Sequence, residues 1–148
     1  MNQAPLTAIA DLLTRSGWAY NVFLRAYRVD TPSRASSQEV IALALGEHAV
    51  PGAIEPVDRD QVIATIREHL VYTGERGGGP DPDLIDSAGF KSLLEVVSDE
   101  VAEAMREARM VERFWLQEGH PAHPVFWDFA FLFKGQRDAV VLIGSASD

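Results

Sequence analysis

The chain has 148 residues, 47% hydrophobic and 24% charged, with no cysteine. It is long enough to fold as one domain without a metal or cross-link, and it excludes disulfides, thiolate metal sites, a cysteine nucleophile and a thiol switch. Acids outnumber bases 22 to 13, giving a formal charge of −9, a field that repels nucleic-acid phosphates and anionic membrane surfaces and suits a basic partner protein.

The N-terminal residues lack a basic n-region followed by an apolar core, so they do not read as a secretory signal. No apolar run approaches the ~18 residues of a membrane span. A cytoplasmic protein that engages neither membrane nor nucleic acid is therefore expected. In chain order, Pro5 suits a first helical turn, and Leu6, Ile9, Leu12 and Leu13 recur at helical spacing, which predicts a helix over 5–16 stopped by Gly17. Residues 18–29 fit both periods. Trp18, Tyr20, Val22, Leu24 and Ala26 alternate, and the aromatic and β-branched content favours a strand.

Ser36 and Glu39 form a capping-box pattern ahead of a helix over 37–48 that Pro51-Gly52 ends. Asp58 opens a helix that runs to about 72, with Val62, Ile63, Ile66 and Leu70 inward. The run over 74–83, rich in Gly and Pro, reads as a flexible connection. The most regular pattern lies over 87–117. There Phe90, Leu93, Leu94, Val97, Val101, Ala104, Ala108, Val111 and Trp115 line one stripe of a 100° wheel. It predicts one long amphipathic helix of about 45 Å.

Gly119 and Pro121 end that helix. Two strands over 125–133 and 138–143 then make a hairpin across 134–137. Both faces of the first strand are apolar and need cover. A third strand from 18–29 would stabilise the pair, and the terminal 144–147 reads as a frayed tail. The expected fold is α+β: about four helices, one of them long, packed on a small antiparallel sheet with a C-terminal hairpin.

Candidate site residues fall into three groups. Glu118, His120, His123 and Asp128 could hold a ligand or a metal, zinc being the one cofactor such donors would take. Each histidine precedes a proline, which biases both toward extended backbone and separates their main chains by about 9 Å. A stiff connector is the plainer reading. Arg25, Arg28 and Arg34 form a basic island suited to an anion. Asp99, Glu100, Glu103 and Glu107 form an acidic ridge on the long helix, suited to a cationic partner.

His48 and His69 sit near predicted helix ends, where an imidazolium complements the dipole. The glycine run lacks the Lys-Ser/Thr of a phosphate-binding loop. No catalytic residues are assigned. The reading favoured is a non-catalytic protein that binds or sequesters a partner protein. The alternatives are a small-molecule- or metal-binding domain or enzyme with a pocket near 115–128, walled by Trp115 and Trp127, and a structural or regulatory subunit. A homodimer is expected, on the grounds of the overlong helix and the two apolar faces of the hairpin.

Overall fold

The computed structural model describes residues 1–32, 34–74 and 79–148. In chain order these form α1 (Gln3–Ser16), β1 (Asn21–Asp30), α2 (Ser37–Leu45), β2 (Val50–Pro56), α3 (Arg59–Leu70), α4 (Pro82–Asp86), α5 (Ala88–Glu107), β3 (Met110–Glu118), β4 (Trp127–Lys134) and β5 (Asp138–Ser147). The strands make one antiparallel sheet in the order β1-β5-β4-β3-β2. The α+β class, the antiparallel sheet and the C-terminal hairpin are as expected from the residue pattern. The segment with two periods resolves as β1, which pairs along its whole length with β5. Trp18 falls just ahead of it in the turn, 92% exposed.

The hairpin's first strand drives the packing. Trp127, Phe129, Phe131 and Phe133 share one face of β4, with successive ring centroids 5.8, 5.6 and 6.4 Å apart. They are buried under α1, α3 and α5, together with Leu6, Ile9, Leu13, Ile66, Val97 and Val101. Each fully buried apolar side chain of this size stabilises by about 1.5–3 kcal/mol relative to exposure. On the opposite face Ala130, Leu132, Val141 and Ile143 meet Val40 and Ile41 of α2. Both sheet faces are thus covered from within the chain. Among the described residues, no helix is long and apolar enough to cross a membrane.

Four expectations need correction. The helix over 87–117 stops at Glu107, and Ala108 adopts extended backbone with φ −77° and ψ 139°. The chain then enters β3. Val111 and Trp115 fit a helical stripe only because it samples one residue in three or four. Phe114 and Leu116 lie off that stripe, yet they pack into the second core, as period-two alternation requires. The overlong helix that argued for a second copy of the chain is therefore absent.

The break at Pro51-Gly52 is instead part of β2. This is the edge strand, where a proline's missing N–H costs no ladder bond. The tail over 144–147 belongs to β5, and Gly144, Ser145 and Ala146 are buried. A Cβ on Gly144 would stand 2.3 Å from Phe129 Cζ, so the glycine admits the ring. Of the connection expected over 74–83, residues 75–78 lie outside the described residues. Asp81, Pro82 and Asp83 start α4: the Asp81 carboxylate accepts the Asp83 amide at 2.9 Å, and Pro82 takes the first turn.

Candidate functional site

The acidic ridge is built on α5. Ser87 caps this helix by accepting the Phe90 amide at 3.2 Å, and Phe90, Leu94, Val97, Val101, Ala104 and Met105 seat its inner face. The outer face is thereby held rigidly toward solvent. Asp99 and Glu103 are exposed there and Glu100 is half-buried. These three line a shallow recess of about 410 Å³ with Arg106 and Val96, and Val96 is 45% exposed.

The charges differ in how far they are engaged. Glu103 is ion-paired with Arg106. Glu100 accepts the main-chain amide of Asn2 at 2.6 Å. Asp99 has no ion pair among the described residues. Glu107 sits a turn further on, beside Gly135 and Asp138 of the hairpin, and it lies outside the recess. Sequence reasoning omitted Glu95, which forms a fork with Arg67. The guanidinium donates to it, with one bond of 3.1 Å, and also to Ser98 Oγ at 3.1 Å. The Arg67 hydrogen bonds hold the Glu95 carboxyl below the ordinary glutamate range.

The group around 118–128 is spread over three elements. Glu118 ends β3 opposite Val50, and Asp128 is exposed on β4. His120 is half-buried. Its Nδ1 accepts the Ala122 amide at 3.0 Å and lies against the Ala122 carbonyl. His123 is exposed. Among the described residues, no three His, Asp or Glu side chains gather closely enough to hold a metal. The proposed walls also part: Trp127 is buried under His69, whose ring meets it edge-on at 5.4 Å, while Trp115 lies over Gly52.

The three arginines do not converge. Arg25 and Arg28 are three apart on a strand, so they project to opposite faces. Arg25 stands over the Tyr27 ring, 5.3 Å from its centroid. Arg28 is ion-paired with Asp138. Arg34 lies beyond the strand, beside Glu39 and Glu47 in a separate recess.

The feature that sequence reasoning missed is a split in the sheet. β3 and β4 pair only from Met110↔Lys134 to Phe114↔Ala130. Beyond that point β3 runs on with β2, as far as Glu118 opposite Val50, through two register shifts. A cleft of about 360 Å³ opens at the fork, lined by Gln61, Ala64, Thr65 and Glu68 of α3, Arg113 of β3, and Asp128 and Phe129 of β4 among others. Arg113 is tied to Glu55 through bonds of 2.8 and 3.1 Å. No signal for this cleft was available while 110–117 read as helix. No family model, curated protein or solved structure matches this chain.

Proposed function

We propose that this protein is a non-catalytic binding protein that docks or sequesters a basic partner protein on the outer face of α5. The observation that carries the reading is the recess around Val96. An exposed aliphatic side chain there is ringed by Asp99, Glu100, Glu103 and Arg106 on a helix fixed by the core beneath it. A small apolar centre with a charged rim is the anatomy of a protein interface. The sign of the rim matches the net charge of −9, which would steer a cationic partner toward it.

The test is charge reversal. Affinity capture from the native host identifies the partner, which is then purified and titrated directly. Asp99→Lys with Glu103→Lys should weaken binding by about tenfold or more while the wild-type complex weakens with added salt. Folding stability should stay within about 1 kcal/mol, because the lost Glu103–Arg106 pair is solvent-exposed. Unchanged affinity in the double variant contradicts the reading.

A further inference from the structure

The fork between β3 and β4 offers more than a recess, because it leaves part of a strand without its neighbour. The Lys134 carbonyl accepts the Arg109 amide from the β3 side. Main-chain groups alternate sides along a strand, so those of Leu132, Ala130 and Asp128 also face β3. Ala130 still has Phe114 opposite it. Asp128 lies beyond the last pair, and its amide and carbonyl face the cleft with no strand partner among the described residues.

Beyond the fork, outside the lining of the cleft, β3 carries Trp115 with its ring turned toward β2. Trp115 shares its strand face with Arg113, two residues earlier. It lies so close over Gly52 that a Cβ there would stand 2.0 Å from Trp115 Cζ2. Even so, 51% of its surface is exposed. The charge at the cleft is one-sided. Glu68 is an exposed acid on its α3 wall, while the one base in its lining among the described residues, Arg113, is already paired with Glu55. The Asp128 side chain alternates with Trp127 and Phe129 and so stands on the opposite face of the sheet.

We infer that the β3–β4 fork binds an extended peptide segment carrying basic side chains, by adding it as a strand beside Asp128. Main-chain pairing to an open strand edge supplies affinity, and pockets for alternate side chains supply selectivity. Here Glu68, on the α3 wall of the cleft, would take a Lys or Arg. The inference rests on the partner-binding reading only in taking the occupant to be a protein segment. It uses a surface separate from the recess on α5.

The probe is a capped peptide of alternating Lys and Val, titrated into the full ¹⁵N-labelled chain. Two control peptides replace Lys by Glu or place Pro at the central positions. The Lys peptide should shift the Asp128 amide and its cleft neighbours, and the Glu and Pro peptides should bind about tenfold more weakly or not at all. Ala64→Trp, which fills the cleft from an exposed position on α3, should abolish the shifts. Glu68→Lys should weaken binding about fivefold or more, giving a second readout if the Trp variant fails to fold.

Asp99→Lys should leave the cleft shifts in place. Equal binding of the Pro peptide, or undiminished shifts in Glu68→Lys, overturns the inference. Shifts confined to α5 and lost in Asp99→Lys also overturn it, and that outcome leaves the α5 reading standing.

Discussion

At the Trp127 end of the aromatic row, ring packing is joined by one side-chain hydrogen bond among the described residues. Trp127 Nε1–H donates to the Tyr20 hydroxyl at 2.8 Å, and both side chains are buried. Burial pushes the Tyr20 phenol above its ordinary value, so the hydroxyl stays neutral. Tyr20→Phe keeps the ring packing against Phe126, at 5.6 Å between centroids, but strands the indole donor. The expected loss is about 1–3 kcal/mol of stability, read by chemical denaturation. A change under about 0.5 kcal/mol would place the indole proton on another acceptor.

Legibility at this scale was uneven. Ser36 and Glu39 announce their cap in four residues, and the cap is present. Gly144 announces nothing, because its role depends on a ring fifteen positions earlier in the chain that pairing brings opposite it. Arg25 and Arg28 looked like neighbours because they are close in sequence, and the strand separates them.

Elements were readable where one period prevailed. α1, α2, α3 and the body of α5 follow from helical spacing and caps, and β4 and the first six residues of β5 from their apolar runs. The boundary at Ala108 was not readable. Val111 and Trp115 satisfy a helix at long spacing and a strand at short spacing, and pairing with both β2 and β4 decides the outcome. β2 was hidden by prolines that only an edge strand tolerates. The candidate cleft was lost with them, since it exists only where β3 leaves β4.

The cap on α2 carries a pH dependence. Glu39 accepts the Ser36 amide at 2.6 Å and the Ser36 hydroxyl at 2.8 Å. The main-chain bond first, and then the hydroxyl, holds this carboxyl below its ordinary range. A carboxyl depressed in the folded state stabilises above its unfolded pKa, and that contribution is lost as pH falls through the folded value. The melting temperature should therefore decline below the ordinary glutamate range, and Glu39→Gln should shallow that decline. An identical acid profile in Glu39→Gln would show that the cap does not hold in solution. Glu95, depressed by Arg67, adds to the same slope in the same direction.

At the scale of the whole molecule, charge and shape divide the work. The sheet is covered on both faces, so the two apolar faces of the hairpin need no second copy of the chain. Three of the surfaces open to solvent are a charged helix face with an aliphatic centre, the recess of Leu43 and Glu47 beside α2, and a fork where Asp128 has no strand partner among the described residues. The first and the last are the two proposed to bind. Both carry exposed acids, which matches a basic occupant. The proposed function therefore stands or falls on where a partner touches the protein.

The most direct measurement is an amide-shift footprint of the purified partner on the ¹⁵N-labelled chain. Docking on α5 predicts shifts along its outer face, centred on Val96, Asp99, Glu103 and Arg106, that vanish in the Asp99→Lys, Glu103→Lys variant. A footprint centred on exposed Leu43 and Glu47 of the α2 side, with the α5 amides unmoved, would contradict it.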